Sequence, residues 1–285
     1  MKKRKNKSDF LKKYIHHKPA TVSSVILIIE IISVILLPIL LNLDPYTSDP
    51  LAFNAPPGGN HILGTDDVGR DILARLLYGG RNSLAIGVLS TAVSILIGLP
   101  LGLLAGYYRG AWEAVIMRAA DIFMSFPTMI LILVVVAIFD SSVPTIVLVI
   151  GVLGWPAIGK LIYGNVLSVR QKDYVEAARA MGTREPEIIF RYILPNSIAP
   201  LWMSVAFRIS SAMITESGLS FLGCGVKSPQ ASWGNIIQSA SNYMILTMRP
   251  WMWIPAGVCL MLTIVCINFV GEGIRDALDP KLKRL

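Results

Sequence analysis

A charged segment at residues 173–200 lies between two apolar runs, and each run is long enough to cross a membrane. About 20 consecutive apolar residues span the hydrocarbon core of a bilayer, and charged side chains are costly inside it. The charged segment is therefore expected at the membrane surface. Gly182 predicts the end of one short helix and Pro186 the first turn of another, because glycine often follows helices and proline fits their start. Together the two pieces would form a surface that another protein can contact.

The composition is that of a membrane protein. Of the 285 residues, 54% are hydrophobic and only 15% are charged, which is too apolar for a soluble domain of this length. The first apolar run is too long for a cleaved signal peptide, so it is expected to remain as an anchor. Six membrane-spanning helices are predicted, at 22–41, 83–107, 115–139, 143–163, 199–222 and 251–270.

The positive charges predict the orientation of these spans. With the N-terminus inside, 20 of the 26 lysines and arginines fall on the inner side, as the positive-inside rule requires. Both termini and the 173–200 segment are therefore expected in the cytoplasm. Because the charges follow membrane topology, the net charge of +8 does not indicate nucleic-acid binding. Membrane lipid is the expected surrounding.

The predicted organisation has five parts. They are a basic cytoplasmic tail at 1–21, a transmembrane helix at 22–41, an extracytoplasmic loop with a short helix at 42–81, a transmembrane core at 82–273 containing a cytoplasmic loop at 164–198, and a cytoplasmic tail at 274–285. Thr65 or Asp66 is expected to cap the short outer helix, which would lie on the membrane surface. Trp233 and the neighbouring outer aromatics predict either an interfacial belt or a substrate entrance.

Several motifs resemble one family of transport proteins. Glu176, Ala177 and Ala178, followed by Gly182 and by Leu194-Pro195, match the cytoplasmic loop signature of ABC importer permeases. The stretches GTDDVGRDILARLLYG, MRAADIFMSFP, ESGLSFLGCGV, ASWGNII and GEGIRDALDP are similar to the dipeptide/oligopeptide/nickel group, and to the second of its two permease subunits. Tyr192, Cys224 and Glu272 depart from the residues that are usual in that group.

The resemblance implies an all-α, polytopic fold with six transmembrane helices, the type I ABC importer permease fold, with cytoplasmic coupling helices. It implies a multi-pass protein of the bacterial cytoplasmic membrane that is not an enzyme. Its partners would be a second permease subunit, two cytoplasmic ATP-binding-cassette ATPases and an extracytoplasmic substrate-binding protein. The loop containing Glu176 and Gly182 would couple to an ATPase, which would hydrolyse the ATP.

Neither a cofactor nor a metal site is predicted for this chain. Gly154, Gly159 and Lys160 have the spacing of a phosphate-binding loop, but Leu161 stands where a serine or threonine would bind magnesium. The three cysteines and three histidines lack metal-ligand spacing.

Ionisable residues inside spans are candidates for function, because burial in lipid makes each of them costly. Arg208 and Glu216 are candidates for the translocation path, and Arg208 could bind a peptide carboxylate or an acidic residue of a partner. Arg118 and Asp121, three residues apart, are predicted to form a structural ion pair.

Three functional classes remain open. The leading one is the permease half of a peptide importer, with a nickel or metal-chelate importer of the same architecture as its alternative. A secondary transporter or channel is the second class, although no internal repeat is visible. A membrane enzyme is the third, and the sequence offers no catalytic constellation for it.

Overall fold

The computed structural model describes residues 7–139 and 141–278. The basic residues at 2–5 and 281–284, which contribute to the orientation argument, lie outside the described part. Four helices are long and apolar enough to cross a membrane. They are α2 (Lys18–Leu40), α3 (Ile72–Tyr108), α6 (Val143–Arg170) and α13 (Ile254–Leu278). A short N-terminal helix, α1 (Lys7–His16), precedes them.

Helices α3 and α6 form the central pairing of the chain, and glycines let them approach closely. A Cβ on Gly98 would lie 2.7 Å from the carbonyl oxygen of Trp155, and one on Gly106 would lie 2.7 Å from Cβ of Val166. Small residues allow such contacts in membranes, where no hydrophobic effect drives helices together. The glycine row at 98, 102 and 106 therefore serves packing within the subunit.

The register of this pairing shows that α3 and α6 run in the same direction. Contacts along both helices keep an offset of 57 to 60 residues, from Ser94 with Gly151 at one end to Gly106 with Val166 at the other. The chain between them must therefore return across the membrane. It does so in α4 (Gly110–Ser125) and α5 (Thr128–Ile138), which are bent by 87° at a break. Pro127 stands at that break and cannot donate a backbone hydrogen bond.

A second bent pair completes the set of spans. Residues 173–198 are called the inner segment, after the side of the membrane on which they are predicted to lie. Helix α10 (Ala199–Phe221) follows this segment with a bend of 60°. By length and composition, the described residues contain up to six spans when each bent pair is counted as one. Helix α13 packs against α2 and α10, and Thr263 donates a 2.7 Å hydrogen bond to Glu30. Glu30 is the acidic residue in the middle of the first span.

Pro38 creates a local defect in α2 that an arginine repairs. Proline leaves the carbonyl four residues earlier, that of Val34, without its helical donor. Arg81 of α3 donates to this oxygen at 2.6 Å and to the Ile35 carbonyl at 2.7 Å. Its guanidinium also lies over the Tyr78 ring. The first span is thereby fixed to the central pairing.

The outer loop differs from the prediction at its end. Residues 42–71 form turns and isolated bridges, as its prolines and glycines predict. No separate surface helix precedes the second span within the described residues. Helix α3 is continuous from Ile72 and is capped by Asp71, whose carboxylate accepts from the backbone N–H of Ala74 at 2.8 Å. Thr65 and Asp66 are instead buried in the loop, so the proposed cap was wrong.

The topology predicts which positions an impermeant thiol reagent reaches from outside. Single cysteines at Asn60, Gln230 and Glu185, all of which are exposed, would be placed in a variant lacking Cys224, Cys259 and Cys266. Positions 60 and 230 should be labelled in intact cells, and position 185 only after the membrane is permeabilised. Labelling of position 185 from outside would contradict the orientation.

Candidate functional site

Helix α7 (Asp173–Ala180) opens the inner segment. Asp173 and Glu176 lie in its first turn, where carboxylates favour the positive end of the helix dipole. The helix ends in a Schellman motif, in which the N–H of Thr183 donates to the Ala178 carbonyl and the N–H of Gly182 to the Arg179 carbonyl. Gly182 has a φ of +76°, which explains the glycine at this position.

The two faces of α7 have different surroundings. Val175 and Ala178 are buried, and Ala178 is only 1% exposed. Glu176 and Ala177 are exposed, as is Met181 at 76% directly after the helix. Ala177 and Ala178 belong to the same signature but lie on different faces, because Ala178 packs against its own chain.

The second half of the inner segment seats α7 on the membrane core. Helix α8 (Glu185–Glu187) has Pro186 in its first turn, as predicted. A π-helical stretch, Ile188–Ile193, follows and leads into α9 (Leu194–Ser197), whose first turn contains Pro195. The isoleucines of the π-helical stretch pack in one apolar cluster with Val175 and with residues of α3 and α6. These residues are Tyr107, Ile158, Ile162 and Val166. The buried face of α7 thus packs against α3 and α6, and its other face remains exposed.

Arg208 lies partly buried in α10 and contacts the central pairing. A terminal guanidinium nitrogen is 3.4 Å from Oγ of Ser94, and a Cβ on Gly154 would collide with the guanidinium. Its Nε has no hydrogen-bond partner. Within the described residues no acidic side chain forms an ion pair with it. Arg208 therefore packs against α3 and α6 without a counter-ion among the described residues.

Glu216 is placed differently, because it is fully buried inside the chain. Its Oε1 accepts from the hydroxyls of Ser220 at 2.8 Å and Ser232 at 2.7 Å. Ser232 also caps α11 (Trp233–Gln238) in a capping box with Asn235. The expectation that Glu216 lines the path does not fit this burial. The residue instead ties the outer segment, residues 223–250, to α10.

Trp233 completes this attachment. Its backbone N–H donates to Oγ of Ser83 at 3.0 Å, and its indole Nε1 donates to the Leu76 carbonyl at 2.9 Å. The side chain is 1% exposed, so neither an interfacial belt nor a substrate entrance describes it. Ser83 and Ser232 were not among the predicted site residues, although the spacing of Ser232 and Asn235 is a capping-box signal.

One further prediction is corrected by a neighbouring helix. Asp121 forms its ion pair with Lys160 of α6, at 2.6 Å, and not with Arg118.

The residues that have the spacing of a phosphate-binding loop lie within helix α6. There Gly154 accommodates Arg208, while Gly159 contacts the α3 backbone. The helical packing explains these glycines without a nucleotide.

Comparison with known proteins identifies the family. Residues 98–284 match the binding-protein-dependent transport system inner membrane component family. The chain belongs to this family. Residues 8–57 match the N-terminal transmembrane domain of oligopeptide transport permease C, which confirms the resemblance to the second permease subunit. The matched range of the binding-protein-dependent family contains the inner segment and both bent pairs.

Relatives extend over most of the chain. A glutathione transport system permease protein of Pectobacterium atrosepticum is 41% identical over 230 residues, covering 81% of this chain and 76% of the relative. A dipeptide transport system permease protein of Alkalihalophilus pseudofirmus is 35% identical, covering 94% and 87%. An oligopeptide transport system permease protein of Bacillus subtilis is 33% identical, covering 97% and 90%.

The fold is also that of a binding-protein-dependent permease. The methionine ABC transporter MetNI, in an inward-facing conformation, matches with a TM-score of 0.61 at 19% identity, covering 73% of this chain and 98% of that chain. The type I importer fold predicted from sequence is thereby confirmed. This chain is a transmembrane permease subunit of an ABC importer.

Adjacent alanines on α7 separate docking from folding. Ala177→Arg changes an exposed position and should leave membrane abundance unchanged while it weakens association with the ATPase. Ala178→Arg forces a charge into a buried position, where an unpaired charge costs about 3–5 kcal/mol, and should lower abundance. Abundance and ATPase co-purification would be measured for both. Equal behaviour of the two variants would contradict the assignment of the two faces.

Gly182→Val tests the helix end without a steric clash, because nothing lies within 4 Å of the Cβ position. The left-handed φ should cost about 1–2 kcal/mol for a residue with a side chain. We expect normal abundance with reduced transport. A fully active variant would show that the shape of the loop is unimportant.

Ser232→Ala tests the attachment of the outer segment. Loss of a cap and of a bond to a carboxylate should destabilise the protein by about 1–3 kcal/mol. The measurement is the unfolding temperature of the purified protein in detergent. Ser241→Ala, at an exposed position of the same segment, is the control and should have no effect. Identical unfolding temperatures would rule out the anchoring role of Ser232.

Proposed function

We propose that this chain forms half of the translocation pathway of a peptide importer and transmits the work of separate ATPases through its inner segment. The observation that carries the proposal is the two-faced α7. One face packs into the inner end of α3 and α6, and the other, with Glu176 and Ala177, is exposed. A carrier that works without a partner ATPase does not need an exposed helix face that is packed against its spans in this way. The family assignment supports the same interpretation.

The proposed assembly contains a second permease subunit, two cytoplasmic ATPases and an extracytoplasmic binding protein. Both termini and the inner segment lie in the cytoplasm of a bacterium. ATP binds to the ATPases, and this chain contributes no catalytic group. A ligand shifts a conformational equilibrium only by its differential affinity for the two states. ATP must therefore bind the closed ATPase dimer more tightly than the open one, and α7 transmits that closure to the spans.

Peptides are the proposed substrates. Relatives named for dipeptides, oligopeptides and glutathione support this class. Arg208 also supports it, because its guanidinium forms no ion pair among the described residues and arginine binds carboxylates in a bidentate manner. We assign Arg208 to the pathway on that ground. The metal-chelate alternative predicts no preference for a free carboxylate of a peptide.

Reconstituted uptake tests this assignment. Vesicles containing both permeases and both ATPases, with ATP enclosed and binding protein outside, should accumulate labelled di- and tripeptides. Arg208→Gln should lower the maximal rate about tenfold or more, as expected for the loss of a hydrogen bond to a charged group, without altering peptide affinity of the binding protein. Accumulation of a nickel chelate but of no peptide would contradict the substrate class.

The purified chain alone should neither bind nor hydrolyse ATP. Its phosphate-loop-like residues lie within α6 and lack the magnesium-binding hydroxyl. Binding of labelled ATP would be measured by filtration, with the assembled transporter as the positive control. Saturable binding by the isolated chain would contradict the division of labour.

A further inference from the structure

A polar cavity of about 470 Å³ lies on the outer side of the chain, between the end of the outer loop and the outer segment. Its volume falls within the range of about 300–1,000 Å³ typical of small-molecule sites. Arg70, Arg75 and Lys227 contribute positive charge to its lining, and Asp67 contributes the negative charge. The cavity is separate from Arg208, which contacts Ser94 deep in the spans.

The two arginines are held in place by one shared carboxylate. Asp66 is 2.7 Å from Nε of Arg70 and 3.4 Å from Nε of Arg75. Its other oxygen accepts from the backbone N–H groups of Val68 and Arg70. The Arg75 side chain is only 8% exposed and that of Arg70 only 13%. Such burial of two guanidinium groups fixes their orientation.

The cluster has capacity for one more anion. Arg70 and Arg75 share Asp66 as their ion-pair partner, and each guanidinium has five N–H donors. The bonds formed among the described residues involve Nε and one terminal nitrogen of each, the latter donating to Ser228 and to the Pro229 carbonyl. A carboxylate would accept from the remaining donors, since arginine binds carboxylates in a bidentate manner.

The rest of the lining suits the other groups of a short peptide. Gln238 and Ser241 line the cavity and form no side-chain hydrogen bond among the described residues. They can therefore bind peptide amides. The exposed carboxylate of Asp67 can face an α-amino group. Val226 and Ile245 supply limited apolar surface.

We propose that this cavity binds the C-terminal carboxylate of a short peptide through Arg70 and Arg75, as a first site on the permease before the peptide enters the spans. The proposal rests on the peptide class assigned above. The site would retain a peptide that the binding protein has released. It would favour substrates with a free carboxylate over those in which it is blocked.

Direct binding to the assembled transporter, in nanodiscs and without binding protein, tests the site. The probes are labelled trialanine and trialanine amide, which differ only in the terminal charge. Trialanine should bind saturably, and its amide at least tenfold more weakly. Arg70→Gln should weaken trialanine about tenfold or more, as expected when a hydrogen bond to a charged group is lost.

Two further variants guard against misinterpretation. Gln238→Glu places a carboxylate in the cavity while the arginine cluster stays intact, and it should weaken trialanine more than trialanine amide. Arg249→Gln removes one positive charge from the same outer segment outside the cavity lining, and it should have no effect. Equal affinity for acid and amide, or normal trialanine affinity in both Arg70→Gln and Gln238→Glu, would overturn the proposal.

Uptake in the presence of binding protein separates this inference from the proposed function. If the wild-type transporter accumulates peptides but shows no saturable binding without the binding protein, only the outer site is wrong. If it accumulates no peptide, the proposed function fails first. If Arg70→Gln weakens association with the binding protein and leaves trialanine affinity intact, the cavity receives an acidic side chain of that protein, and the proposal is overturned.

Discussion

The close parallel contact of α3 and α6 is the constraint on which the rest of the structure depends. Glycines at 98, 102 and 106 bring one helix against the backbone of the other, so that a methyl group at any of them would meet α6. Contacts of this kind leave little freedom to slide or rotate, because packed interfaces are not continuously deformable. The pairing also fixes the path of the chain, since two parallel helices require a returning span between them.

The segments proposed to be functional pack against the two ends of this pairing. At the inner end, the isoleucines at 188, 189 and 193 and Val175 seat α7 on α3 and α6. At the outer end, Trp233 is bonded to Ser83 and Leu76 of α3, and Ser232 to Glu216. A force applied to the exposed face of α7 therefore acts on a unit that includes the outer segment and its polar cavity.

The sequence predicted features that depend on local chemistry and chain order. Apolar length predicted the spans, and the glycine at 182 predicted a helix end. It did not predict contacts that require the neighbouring helix. Asp121 has Arg118 close in sequence, yet Lys160 of α6 reaches it. Ala178 is the same residue type as Ala177, but its position on the helix turns it toward the interior of the chain. Glu216 was expected to line the pathway. Its burial was not predicted, because the serines that donate to it come from separate parts of the chain.

The central claim is that the inner and outer ends move as one body when the partner ATPases close. Pulsed spin-label distances in the reconstituted transporter test it directly, with labels at Glu185 and Gln230 of this chain and a reference label on the partner permease. The distance between 185 and 230 should be the same in nucleotide-free and ATP-trapped states, while the distance from 185 to the reference label changes. A change between 185 and 230 as large as that between subunits would contradict the account.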